Sequence, residues 1–122
     1  MAFCGGSAAY DGTFLYVGAD AQTSSPAPGS MYRLAPDSGA VLWYTPLDTG
    51  AVVGSPSLDG AGLLAVHTCN NAGAGGAVYL IDKADGAIKA TVAYPEGPIF
   101  AQPVFAAGQM LVAGPTLQAY VP

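Results

Sequence analysis

The chain has 122 residues, a net charge of −5 and only 9% charged residues. Its cations are Arg33, Lys83 and Lys89 alone, too few to track a phosphate backbone, which excludes nucleic acid and disfavours an anionic membrane surface. No apolar run approaches the ~20 residues of a membrane-spanning helix, while Gly 17 and Pro 10 point to one domain of many short strands joined by turns.

In chain order, "MAFCGGSAAYDG" (1–12) lacks the basic start and sustained apolar run of a secretory leader. The chain is therefore expected to carry no address of its own, although a longer secreted or periplasmic parent would supply one. "SAAYDG" (7–12) reads as a strand running into an Asp-Gly turn, and "MYRLAPDSGAVLW" (31–43) as strand, tight turn, strand. Asp-Gly suits such connections because Gly accepts positive φ and the Asp side chain bonds nearby amides. The next stretch repeats this plan in full. "VVGSPSL" is a strand, Asp59-Gly60 a turn and "LLAVHT" a second strand. The loop "CNNAGAGG" leads to a third strand, "AVYLID", and "KADG" turns into a fourth, "AIKATVA".

Self-similarity explains the plan. Tyr32 and Tyr79, Leu34 and Ile81, Gly39 and Gly86, and Val41 and Ile88 all stand 47 apart. "SAAYDG" and "SPSLDG" stand 48 apart, and "AQPVFAAG" (101–108) matches "GSPSLDGA" (54–61), with Pro103 following Pro56 by 47. The three copies carry four, four and three strands. In "AVYLID" both faces are apolar, as a sheet sandwiched between two neighbours requires. Four antiparallel strands per ~45 residues is the unit of a β-propeller blade.

At these residues the chain resembles the PQQ-like repeat propellers, whose repeat reads as a strand ending in Asp, a short turn with Thr-Gly, and a strand closing on Trp. "YLIDKADGAIKA" keeps Asp82 and Gly86 but has Ala90 at the Trp position. "YRLAPDSGAVLW" keeps Gly39 and Trp43 but has Ala35 at the Asp position. The resemblance implies an all-β protein of three consecutive four-stranded antiparallel blades: residues 1–49, 50–96 and 97–122, the last lacking its outer strand. In a closed ring, residues 1–4 would supply that strand. Three blades fall short of the four or more that close a propeller. The expected partner is therefore a second copy, two chains making a six-bladed ring, or the remaining blades of a longer parent.

The family includes quinone-dependent dehydrogenases, which the resemblance associates with a calcium held by Glu, Asn and Asp, an Asp base and a disulfide between adjacent cysteines. Adjacent cysteines are missing here, and Glu96, the only Glu, sits in a "YPEGP" turn. The expectation is a non-enzymatic scaffold or binding module without a cofactor. The alternative is the C-terminal portion of a PQQ-dependent dehydrogenase whose catalytic blades, with quinone and calcium, lie elsewhere.

Other constellations read as structure. No Ser or Cys has a His and acid at triad spacing, and "NAGAGGAV" feeds a strand rather than the helix of a phosphate loop. Asp82 and Asp85 flank one turn, where Asx bonding accounts for both. Trp43, Tyr32 and Tyr79 read as inter-blade packing. His67 ends a strand where the other copies place Ala19 and Gly114; it is a candidate contact, although a lone strand-end His is most simply incidental. Cys4 aligns with Val52 and Ile99, which would set it across adjacent blades from Cys69; the two read either as free thiols or, in an oxidising compartment, as a disulfide. The same end gathers the longer loops, so Asp20, His67, Asn70, Asn71 and Glu96 are the candidate ligand-facing residues for a protein or saccharide.

Overall fold

The computed structural model describes residues 6–20, 26–69, 76–94 and 102–122. Among these the protein is all-β, with no helix, and its twelve strands form three antiparallel sheets. The first sheet holds β1 (Ala9–Tyr10), β2 (Leu15–Asp20), β3 (Gly29–Leu34) and β4 (Val41–Leu47) in that order. The second holds β5 (Ala51–Val52) and β6 (Ser57–Leu58), both paired to β7 (Leu63–Cys69), then β8 (Gly76–Asp82) and β9 (Ile88–Tyr94). The third holds β10 (Val104–Ala106), β11 (Gln109–Ala113) and β12 (Leu117–Tyr120). No strand pairing among the described residues closes the stack into a ring.

The turns form as the sequence chemistry dictates. Asp11 Oδ1 accepts the amides of Thr13 and Phe14 at 2.9 and 2.8 Å. Asp59 Oδ1 accepts those of Ala61, Gly62 and Leu63 at 2.7–2.9 Å. Asp82 and Asp85 bond the amides of Ala84 and Ala87, the Asx role expected of them. Two local expectations need correcting. "VVGSPSL" is not one strand: the segment around Gly54 and Pro56 breaks the ladder, leaving β5 opposite Thr68–Cys69 and β6 opposite Leu64–Ala65. Pro lacks an amide to donate, and Gly gives the backbone freedom to leave the pleat. In addition, the turn after β6 carries one more residue than its counterpart, since Tyr10 faces Leu15 whereas Leu58 faces Leu64. The structural counterparts of His67 are therefore Gly18 and Ala113, not Ala19 and Gly114: Gly18 pairs with Met31, and Ala113 with Leu117, as His67 pairs with Val78.

Two hydrophobic layers hold the sheets together, and they are copies of each other. Between the first and second sheets lie Tyr16, Met31 and Leu47 from one side and Leu64, Val66 and Ile81 from the other, all essentially inaccessible to solvent. Between the second and third lie Ala65, Val78 and Tyr94 against Met110 and Val112, with Phe105 and Tyr120 alongside. The ladders make Tyr16 equivalent to Ala65, Met31 to Val78, Leu47 to Tyr94, and Leu64 to Met110. Strand alternation sends successive residues of β7 to opposite layers. Leu64 and Val66 serve the first layer and Ala65 the second, so the middle sheet is apolar on both sides. Each fully buried Leu, Ile or Val side chain contributes about 1.5–3 kcal/mol.

Candidate functional site

The first two sheets are fastened by more than their apolar layer. The β8–β9 turn, Lys83 to Gly86, lies on the first sheet, and three side chains there donate to its main-chain carbonyls. Trp43 Nε1 donates to Lys83 O at 3.0 Å, Arg33 Nη1 to Ala84 O at 2.8 Å and Thr45 Oγ1 to Gly86 O at 2.6 Å. Lys83 Nζ meets Asp11 Oδ2 at 3.0 Å, and the Tyr16 hydroxyl donates to that same oxygen at 2.9 Å. Arg33 stacks 3.7 Å over the Phe14 ring, and Trp43 tilts against Tyr16 at 6.2 Å.

The electrostatics follow from this geometry. Burial alone pushes the Asp11 carboxyl up. The amide bonds from Phe14 and Thr13, with Lys83 and Tyr16, outweigh it and hold the carboxyl well below its ordinary range. Tyr16 is pushed up to about 12, first by burial and then by its bond to the Asp11 anion.

The equivalent seat on the second sheet is built from different residues. The ladders carry Asp11 to Asp59, Phe14 to Leu63, Arg33 to Leu80, Trp43 to Ala90 and Thr45 to Val92. All five of these counterparts line a single cleft of about 620 Å³ between the second and third sheets, closed on the far side by Phe105, Met110 and Tyr120. Only the carboxylate survives; the three donors have become aliphatic. A second, more polar groove of about 530 Å³ runs where β1, β6 and β10 come together. Ser7 N donates to Ser55 Oγ at 2.8 Å, Gln102 Nε2 to Pro56 O at 3.1 Å, and Ser57 Oγ to Pro103 O.

The residues singled out from sequence are distributed differently. Asp20 ends β2, half-buried, and its carbonyl accepts from Ser30 Oγ at 3.1 Å. His67 is not on a loop: it sits inside β7, 1% exposed, with its ring edge-on to Tyr94 at 5.3 Å. Cys69 ends β7 as a buried free thiol. Asn70, Asn71, Glu96 and Cys4, and with them the Cys4–Cys69 pairing, lie outside the described residues, as does the strand proposed for residues 1–4. Trp43 and Tyr79 do pack between sheets, whereas Tyr32 stacks on Tyr44 at 5.2 Å. In the sequence Asp59 reads only as a turn residue, Ala90 only as a departure from the repeat and Leu80 only as strand; that the three line one cleft is a finding of the structure. Their signal was the repeat itself, read for what changes between copies instead of for what stays.

Among the described residues no group of three or more His, Cys, Asp or Glu could hold a metal. No helix among them is long and apolar enough to cross a membrane. No protein-family model matches the chain, and no curated protein matches it.

Proposed function

We propose that the chain is a non-enzymatic scaffold or binding module, three consecutive PQQ-like propeller blades of which the third is partial, and that its foremost partner is a second copy of itself. One observation carries the reading. Leu15, Val17, Tyr32 and Leu34 on the outer face of the first sheet are the ladder counterparts of Leu64, Val66, Tyr79 and Ile81. The second set is buried, at 0–4% exposure, against a neighbouring sheet; the first is only half-buried. On the far face of the third sheet Val104, Leu111, Ala113 and Leu117 stand on the side that in the other two sheets receives such a set. Val104 and Leu117 are 49% and 71% exposed. The two ends of the stack are thus complementary rather than alike, which favours a head-to-tail contact that two copies close into one ring. Exposed contiguous apolar surface of this kind supports an interface.

Light scattering over a range of concentrations tests the reading, with twice the mass of one chain expected. Leu34→Glu and Leu111→Glu should each give monomers. Mixing the two variants should restore a heterodimer, because one of the two contacts is then intact on both sides. A single-chain mass at every concentration for the unaltered protein would overturn the proposal.

A further inference from the structure

The outermost strands of the first two sheets, β4 and β9, each leave one edge without a ladder partner among the described residues. Both strands lie within the chain and are followed by the next sheet, so these edges belong to the fold itself. We infer that both edges are built to refuse a further strand, so that copies of this chain meet through sheet faces and not side by side. The inference deepens the scaffold reading and rests on it for the faces that remain available.

A bare edge would be a hazard here. Val41 to Thr45 is an uncharged run of strand-forming residues, and Ala90 to Tyr94 is likewise uncharged; such segments add strands readily when their edge is open. Val41 and its counterpart Ile88 stand exposed at the start of the two strands. With only 9% charged residues, the chain supplies little general repulsion between copies. Three features answer the hazard. First, the register shifts at the same place in both strands: pairing steps from Val41 to Trp43 and from Ile88 to Ala90, which leaves Leu42 and Lys89 without a cross-strand partner. Such a bulge twists an edge away from the flat geometry that an added strand needs. Second, the bulged residue of β9 is a lysine, half exposed, whose Nζ reaches Asp82 Oδ2 at 3.6 Å. An added strand would have to desolvate that ammonium or displace it. Third, β4, where the bulged residue is Leu42, carries Pro46 opposite Ser30. A proline keeps its place in a ladder only where its missing N–H would have faced away from the neighbour, so it deletes a donor from the outer row. Each edge thus has the bulge and one further guard, and the two guards differ in chemistry.

The test uses the Leu34→Glu chain, in which contact through the sheet faces is already blocked. It carries either Pro46→Val with Lys89→Val, or Pro46→Lys with Lys89→Glu. Size-exclusion chromatography with in-line light scattering reads mass, thioflavin fluorescence reads added strands, and circular dichroism reads the fold. Valine favours strand, so the valine pair should keep its β spectrum. It should nevertheless lose its monomer to larger, thioflavin-positive species at concentrations where Leu34→Glu alone stays monomeric. The charged pair should stay monomeric. It too lacks the proline and the Lys89–Asp82 contact, so it separates guarding from rigidity and from an exposed ion pair that stabilises little. A valine pair that stays monomeric would overturn the inference, as would one that associates only with loss of its β spectrum, or a charged pair that associates to the same extent. If the unaltered chain is itself a monomer, the same comparison is made without Leu34→Glu. The ring then fails while the guarded edges stand, and a dimerising chain whose valine pair goes no further does the reverse.

Discussion

The two layers between the sheets have the same apolar plan and opposite polar trim. The first is fastened by Trp43, Arg33, Thr45 and the Asp11–Lys83 pair; the second has Ala90, Leu80, Val92 and Asp59, whose carboxylate serves its own turn through Oδ1. Hydrophobic alternation is thus enough to stack these sheets, and the hydrogen-bonding residues decide what else sits at the joint. Apolar burial is non-directional and tolerates substitution of similar volume, whereas the three donors fix one turn in one place.

The comparison breaks most clearly at two glycines that share a conformation. Gly39 and Gly86 have φ of 71° and 78°, so either pays for a side chain in backbone strain. A Cβ at Gly39 meets nothing within 4 Å, but at Gly86 it comes to 2.7 Å from Thr45 Oγ1 and 2.8 Å from the Trp43 ring. Gly86→Ala should therefore cost about 3 kcal/mol and Gly39→Ala about 1 kcal/mol, measured by urea unfolding. Equal costs would mean that the fastening adds nothing. Trp43→Phe should come next, at about 1–2 kcal/mol, because the Lys83 carbonyl loses its donor at a half-buried site.

Asp11→Asn should cost about 1 kcal/mol at neutral pH and alter the acid limb. The folded-state pKa of Asp11 is depressed, so its stabilisation is present above the ordinary carboxylate pKa of about 4 and is lost as pH falls below it. The variant should show a flatter decline between about pH 4 and pH 2. The smallest effect is expected in alkali. Burial, and then the bond to the Asp11 anion, push the Tyr16 hydroxyl up to about 12 from an ordinary value of about 10. Its raised value stabilises fully below pH 10 and is lost as pH rises toward 12, a decline that Tyr16→Phe should remove.

The sequence made the strand sets legible because three independent signals coincide: Asp-Gly turns, apolar alternation and the 47-residue spacing. It was silent on the break at Val53–Pro56, since a single Gly and Pro within an apolar run are compatible with a continuous edge strand. It misplaced His67 by one position, because an extra residue in a turn is invisible to strand patterning. The fastening was half visible. Trp43 stood out as packing, but its hydrogen-bond partner is a main-chain carbonyl 40 residues away, and backbone acceptors leave no mark on a sequence. The cleft was least legible, because it is defined by an Ala and two aliphatic residues whose meaning emerges only when laid over their counterparts.

The first sheet's own turn, Ala35 to Gly39, closes on itself through Gly39 N–H to Ala35 O at 2.8 Å, and Gly39 at its tip is exposed. It is a tab for which the described chain has no slot. A tandem duplication would present that tab to an additional unit without inventing any new surface, so lengthening such an array costs no redesign. Stability would then accrue in nearly equal increments per unit added, and unfolding would proceed unit by unit from the ends.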